Sequence, residues 1–185
     1  MTNNVLFVLT APFDGQDQDY NAWYTDKHLG DVVVIPGVES AQRFTPTSSA
    51  AEPRYLALYN ISDPLLALAG LRERSGTERM PMTPALDTSK TQTMMLTEIG
   101  SGAAASAADL PLEAGDLVAF AWDRQASAGG RYRVFVPNEA QLRPSVMPSR
   151  VLVVSGIEGG APATGGAKFI SYSAITGQVP KPAAV

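Results

Sequence analysis

One short segment of the sequence concentrates the side chains that could do acid–base chemistry. Between Asp17 and Leu29, five aromatic or basic residues recur at i, i+3, i+4, i+7 and i+8, the spacing of one helix face. They are Tyr20, Trp23, Tyr24, Lys27 and His28. An imidazole that titrates near neutrality, two phenols and a flat indole predict a cavity lining that moves protons on a carbonyl or phenolic compound.

Two carboxylates and a structural alternative bear on this interpretation. Asp26 and Asp31 are close enough in sequence to orient His28 or to raise its pKa. The same aromatic spacing is also typical of a helix that packs its bulky face on a sheet, and a single histidine near a helix C-terminus interacts favourably with the helix dipole. The segment therefore predicts either a catalytic face or an ordinary core face.

Composition excludes many other kinds of site. The 185 residues include no cysteine and one histidine, which excludes thiolate nucleophiles, cysteine-ligated zinc, iron–sulfur clusters and sites built from several imidazoles. The net charge of −4 argues against a protein that tracks nucleic-acid phosphates. We therefore expect a small-molecule substrate, with no cofactor, no metal and no nucleic-acid partner.

The chain also lacks the patterns of export and membrane insertion. No apolar run approaches the roughly 18 residues that a spanning helix needs. The start, Met-Thr-Asn-Asn followed by the short run Val5–Leu9, does not have the charged leader and long apolar stretch of a secretory signal. These observations predict a cytoplasmic protein with no membrane partner.

The elements that must position the aromatic helix follow in the order β-α-β-β-α-β. In chain order they are strand Val5–Thr10, helix Asp17–Leu29, strands Val38–Phe44 and Arg54–Ile61, a helix opened by Asp63-Pro64, and strand Thr91–Ile99. This order predicts an α+β fold of ferredoxin-like topology. Since strands such as Val5–Leu9 are apolar throughout, the sheet face opposite the helices also needs a cover.

Four segments are predicted along the chain. Residues 1–100 form the ferredoxin-like unit, 101–116 a small-residue linker, 117–175 a strand-rich second half that packs on the first, and 176–185 a tail. The second half is interpreted as a degenerate ferredoxin-like repeat whose helices are reduced to loops. A second sheet, from these residues or from a partner subunit, would cover the apolar face.

Three stretches carry a family resemblance. Tyr20 to Leu29 (YNAWYTDKHL), Ile35 to Phe44 (IPGVESAQRF) and Tyr55 to Tyr59 (YLALY) resemble the EthD-like family of the dimeric α/β-barrel superfamily, over roughly residues 3–100. The resemblance implies that two four-stranded sheets form a barrel, by homodimerisation or within a fused chain, with a ligand cavity between each sheet and its helices. It also implies that His28 is an acid/base residue and that Tyr20, Trp23 and Tyr24 line the approach to it.

The leading functional hypothesis is a cofactor-independent dehydratase, cyclase or isomerase acting on an aromatic or polyketide-like carbonyl compound. His28 and Tyr24 would be catalytic, and Tyr20, Trp23 and Lys27 would bind substrate. One alternative is a non-catalytic small-molecule-binding or assembly protein, which a filled cavity and a hydrogen-bonded His28 would support. A second alternative is a cofactor-free or haem-dependent monooxygenase.

Overall fold

A computed structural model describes residues 3–48, 55–102, 117–122, 131–142, 148, 151–155 and 170–183. It contains nine strands: β1 Asn4–Thr10, β2 Val38–Pro46, β3 Tyr55–Ile61, β4 Gln92–Gly102, β5 Leu117–Trp122, β6 Arg131–Pro137, β7 Val151–Ser155, β8 Ile170–Ala174 and β9 Val179–Pro180. The helical segments are α1 Asp17–Trp23, a π-helical turn Tyr24–His28, α2 Leu29–Val33, α3 Pro64–Arg74 and a 3₁₀ turn Thr88–Lys90. The predicted strands and helices of the first hundred residues are all present.

The first four strands have the order β4-β1-β3-β2, and every neighbouring pair is antiparallel. The helical segment from α1 to α2 connects β1 to β2, and α3 connects β3 to β4. This is the predicted ferredoxin-like topology. It places β1 and β3 at the centre of the sheet, directly beneath the helices.

The second half repeats that strand order. Strands β5 to β8 pair as β6-β7-β5-β8, again antiparallel throughout. The chain between β5 and β6 is 8 residues long and that between β7 and β8 is 14, against 27 between β1 and β2. The strand order therefore agrees with a ferredoxin-like repeat whose crossover connections have been shortened.

The two sheets close into one barrel within a single chain. Strand β4 pairs with β6 on one side, and β2 pairs with β8 on the other, while β2 also pairs with β3. All eight strands β1–β8 therefore have two neighbours, and no partner subunit is needed to close the barrel. Of the two arrangements that the sequence left open, the structure adopts the fused one.

Closure explains why β1 is apolar on both faces. All seven residues of β1 are buried. Val5, Phe7 and Leu9 pack inside the barrel with residues of both halves, including Phe135 and Tyr172. The alternate residues of β1 pack outward against the helices, in a second core that contains Tyr20, Leu29 and Leu68. Period-2 alternation thus builds two separate cores from one strand.

The helical segment that carries His28 differs from the sequence prediction. It continues through Gly30 to Val33, because Val32 and Val33 provide further apolar residues that are buried against the sheet. The π-helical turn Tyr24–His28 also interrupts it, and the helix propensities of individual residues do not predict such a turn.

The helix α3 begins where the sequence places it. The Asp63 carboxylate accepts hydrogen bonds from the backbone N–H groups of Leu65 and Leu66, each at 3.0 Å, and Pro64 occupies the first turn. The Gly37 turn packs against the same point, with a φ of +86° and its carbonyl oxygen accepting from the Ser62 N–H. This contact joins the turn that follows α2 to the start of α3.

The segment predicted as a tail is bound to β2. Strand β9 pairs with Ser40 and Ala41. The Gln42 side chain donates to the Thr176 carbonyl, the Gln178 side chain donates to Ser40 Oγ, and the Thr176 hydroxyl accepts from the Arg43 N–H. Of the predicted linker 101–116, residues 101 and 102 end β4, and 103–116 lie outside the described residues.

None of the helices in the described residues is long and apolar enough to cross a membrane.

Candidate functional site

A cavity lies between the outer face of the first sheet and the helices. It has a volume of about 110 Å³, close to the size that takes one aromatic ring. The lining comes from β1, β3, β4, the helical segment, α3, the loop before β4 and the loop after β6. The residues are Leu6, Val8, Thr10, Trp23, Tyr24, His28, Val32, Tyr59, Leu71, Ser75, Met80, Met82, Leu86, Thr91, Thr93 and Leu142.

The lining combines an apolar wall with a few polar groups. Among the described residues, no acidic, lysine or arginine side chain belongs to it; the polar groups are hydroxyls, the indole and the imidazole of His28. Met82 is 43% exposed and so marks the mouth, while Met80 and Tyr24 are buried. A mostly apolar cavity with a few convergent polar groups is the usual form of a small-molecule site.

His28 lies in an aromatic corner of this cavity. Its ring stacks on Trp23 with centroids 4.3 Å apart, and meets the Tyr24 ring edge-on at 4.8 Å. The Trp23 indole is held in turn by a 3.0 Å hydrogen bond from its N–H to the Pro81 carbonyl. The imidazole is thus positioned by packing on two rings.

No hydrogen bond to the His28 ring forms in the part of the chain that the structure describes, and its Nδ1 is buried. Burial, together with a smaller effect of the positive charge of Arg43, lowers the pKa of His28 to about 4. The ring is therefore neutral at neutral pH and can accept a proton. The prediction that Asp26 or Asp31 raises this pKa is wrong, because Asp31 lies 3.4 Å from Lys27 Nζ instead.

Tyr24 presents its hydroxyl to a second phenol. The Tyr24 and Tyr59 hydroxyl oxygens are 2.9 Å apart. Burial raises the pKa of both phenols, so both remain protonated at neutral pH. Two hydroxyls that share one hydrogen bond retain one further O–H hydrogen between them, which is available to an oxygen atom in the cavity.

The other two residues predicted to bind substrate lie outside the lining. Tyr20 is fully buried beneath it, where its hydroxyl lies 2.5 Å from Thr10 Oγ1 and its ring packs on Tyr24. Lys27 points away, with a side chain 49% exposed and paired with Asp31. The structure thus places Trp23, Tyr24 and His28 in the cavity lining. Tyr20 is buried beneath the lining, and Lys27 is exposed and lies outside it.

Sequence reasoning missed Arg43. This β2 residue is fully buried against the helix. Its guanidinium donates to Thr25 Oγ1 at 2.6 Å and to Asn21 Oδ1 at 2.9 Å. The position of this arginine in a predicted strand was a weak signal, because arginine is almost never fully buried unless it is paired and the sequence does not show its partners. Tyr59 was missed because a tyrosine within an apolar strand shows no such contrast.

Metal ligation finds no support in the described residues, which contain no cluster of three or more histidine, aspartate or glutamate side chains. The chemistry available to the site is that of a neutral imidazole base, phenolic donors and a dry apolar wall.

Comparisons with known proteins agree with the fold. A solved structure described as an anthrone oxidase-like protein superposes with a TM-score of 0.59 over 100% of this chain and 97% of that chain, at 9% sequence identity. This likeness shows a shared α+β barrel architecture. No protein-family profile matches the chain.

One curated relative matches part of the sequence. Core atranone cluster (CAC) protein 1 of Stachybotrys chlorohalonatus (strain IBT 40285) is 39% identical over 61 residues. The match covers 32% of this chain and about a quarter, 26%, of that protein.

Proposed function

We propose that this protein is an enzyme of secondary metabolism that removes a proton from carbon beside the carbonyl group of a small aromatic or polyketide-like compound. The observation that carries the proposal is an imidazole, His28, whose buried Nδ1 has no hydrogen-bond partner in the described residues and which lines the same apolar cavity as the Tyr24–Tyr59 hydroxyl pair. The relative from the atranone cluster and the anthrone oxidase-like neighbour support the substrate class by their descriptions.

In this mechanism His28 is the base. A group with a pKa of about 4 is almost wholly deprotonated at neutral pH, so the ring is in the form that can take a proton, although it is a weak base and its protonated form gives the proton up again readily. The developing enolate oxygen would accept the free O–H hydrogen of the Tyr24–Tyr59 pair. Because the cavity is apolar, this hydrogen bond would stabilise the oxyanion more than it would in water.

Trp23 is proposed to bind the ring of the substrate. Its indole already stacks on His28, so a flat substrate would pack against the parts of these two rings that face the cavity. A polycyclic compound exceeds the cavity volume of about 110 Å³, so it would reach out past Met82 at the mouth. The proton that His28 has taken up can then return to another carbon of the enolate, which is the isomerase outcome, or can protonate a β-hydroxyl group that leaves as water, which is the dehydratase outcome.

A second candidate shares the first step. The neighbour described as anthrone oxidase-like favours a cofactor-free oxygenase, in which the enolate carbon reacts with O₂. A CH₂ group beside the carbonyl would become a second carbonyl; one oxygen atom of O₂ would enter it and the other would leave as water. Measurement with an oxygen electrode distinguishes the oxygenase from the isomerase and the dehydratase, since only the oxygenase consumes O₂.

The shared step can be tested without knowledge of the full reaction. The measurement is NMR of the exchange of CH₂ hydrogens for deuterium in D₂O. The probes are 2-indanone, whose CH₂ groups lie beside the carbonyl, and anthrone, whose acidic CH₂ group faces the carbonyl across the central ring. The wild-type protein should accelerate exchange, and His28→Gln should lower the acceleration by about 10²–10⁴-fold. Tyr59→Phe should lower it less, because one phenol remains.

Lys27→Gln is the matched control, since Lys27 lies on the same turn but outside the cavity, and it should exchange like the wild type. Unchanged exchange in a folded His28→Gln protein would remove His28 from the mechanism. Tight binding of the probes with no exchange above buffer would favour the non-catalytic binding protein.

A further inference from the structure

The fully buried Arg43 does not touch the cavity, yet it is linked to His28 through one ring. Its guanidinium carbon lies 4.3 Å from the centroid of Tyr24, and the centroid of Tyr24 lies 4.8 Å from that of His28. The Tyr24 ring therefore contacts both a permanent cation and a group that can become one.

The surroundings of Arg43 leave its charge uncompensated by a carboxylate. Its hydrogen-bond acceptors are neutral: Thr25 Oγ1, and the side-chain and backbone oxygens of Asn21. No ion pair involves Arg43 among the residues that the structure describes. The faces of Tyr20 and Tyr55, at 5.4 and 5.6 Å, complete its enclosure. A buried charge held by dipoles and π-faces keeps most of its field, because neither water nor a counter-ion screens it.

The other groups around His28 do not offset this charge. On its own helix, Lys27 and Asp31 pair with each other at 3.4 Å. From β3 the only titratable group at the cavity is the Tyr59 phenol, whereas α3 and the loop that follows it contribute uncharged residues. Among the described residues, Arg43 is the charged side chain that packs on the same Tyr24 ring as the imidazole.

We propose that Arg43 is a positioning residue that acts through Tyr24: its buried cation disfavours a positive charge on His28 and so holds the imidazole in its proton-accepting form. The same cation, over the face of Tyr24, fixes the ring that carries the proposed oxyanion donor. This inference rests on the proposed role of His28 as the base, but its test does not.

The test is the NMR titration of the imidazole. His28 is the only histidine, so one ring signal reports its protonation directly. Arg43→Gln removes the charge and should raise the pKa of His28 by about half to one unit, whereas Arg43→Lys keeps the charge and should leave the pKa nearly unchanged.

A second variant guards against misfolding of Arg43→Gln. Asn21→Asp places a carboxylate where Asn21 Oδ1 now accepts from Arg43, 2.9 Å from Nη2, and so neutralises the cation. It also removes the amide N–H donor that now bonds to the Asp17 carbonyl and the Tyr55 hydroxyl. It should raise the pKa of His28 in the same direction. An unchanged pKa in Asn21→Asp, or in a folded Arg43→Gln, would overturn the proposal.

Proton exchange from the probe ketones separates the two ideas. If the pKa of His28 rises in these variants while His28→Gln exchanges like the wild type, Arg43 controls the imidazole but the proposed catalysis fails. If the pKa is unmoved while His28→Gln is inactive, the catalytic proposal stands and the role of Arg43 falls.

Discussion

The imidazole of His28 stacks on the indole of Trp23, with ring centroids 4.3 Å apart and planes inclined by 25°. The two residues are five positions apart, and the π-helical turn Tyr24–His28 brings them to one side of the helix because its hydrogen bonds span five residues. In a continuous α-helix the residue four positions after Trp23 would follow it, and that residue is Lys27. The turn therefore favours a neutral ring over an ammonium group at the cavity.

The lowered pKa of His28 makes a prediction about stability. As the pH falls from 7 to 5, the unfolded chain binds a proton at His28, whose ordinary pKa is 6.5, whereas the folded protein binds it only near 4. Folding stability should therefore fall over this range, by about 1–2 kcal/mol after allowance for the part-exposed ring. Urea unfolding at several pH values measures it.

His28→Phe is the control for this prediction, because phenylalanine can stack on Trp23 but cannot titrate. The carboxylates are common to both proteins, so the difference between the two curves isolates the histidine. Parallel curves from pH 7 to 5 would contradict the lowered pKa.

The Gly37 turn should not tolerate a side chain. Its φ of +86° is unfavourable for other residues, and an added Cβ would lie 2.4 Å from the Asp63 carbonyl oxygen. Gly37→Ala should cost about 2–3 kcal/mol in thermal or urea unfolding. Gly15→Ala has a similar φ, +79°, in open space, and should cost only about 1 kcal/mol. Equal losses at the two positions would show that the close approach to Asp63 is unimportant.

The C-terminal segment should stabilise the barrel. Truncation after Ile175 removes the bonds that residues Thr176 to Lys181 make with β2 and should lower the unfolding free energy by about 2–4 kcal/mol. Truncation after Pro182 keeps all of these bonds and should leave the stability unchanged. A protein cut after Ile175 that unfolds at the wild-type urea concentration would show that the segment contributes nothing.

The cap of α3 should contribute a smaller amount. Asp63→Ala leaves the N–H groups of Leu65 and Leu66 without their acceptor and should cost about 1 kcal/mol. Asp63→Asn keeps an oxygen acceptor and should cost only a few tenths of a kcal/mol. Urea unfolding distinguishes the two, and identical losses would assign the effect to the charge instead.

The sequence predicted a strand or helix correctly where residues within that segment are sufficient to form it. Val5–Thr10 is a strand because its apolar residues need burial on both faces, and α3 starts at Asp63 because that side chain caps it. The second half, predicted only as strand-rich, contains strands β5 to β8 in its described residues.

The site was only partly predictable. Helical spacing correctly grouped Trp23, Tyr24 and His28, but it also included Lys27, since a 3.6-residue period cannot anticipate an inserted π-helical turn. The partners Tyr59 and Arg43 are 31 and 15 residues beyond His28 in the chain, and only strand pairing brings them beneath it.

By itself, the sequence determined which residues form strands and helices, and that the single imidazole lies among aromatic rings, because these follow from side-chain type and short-range spacing. Only the tertiary structure decided that the barrel closes within one chain and that His28 is neutral. Both depend on contacts between residues far apart in the chain. The barrel closes because β2 pairs with β8, and the charge on the imidazole is disfavoured because the fold buries His28 and places Arg43 on the Tyr24 ring.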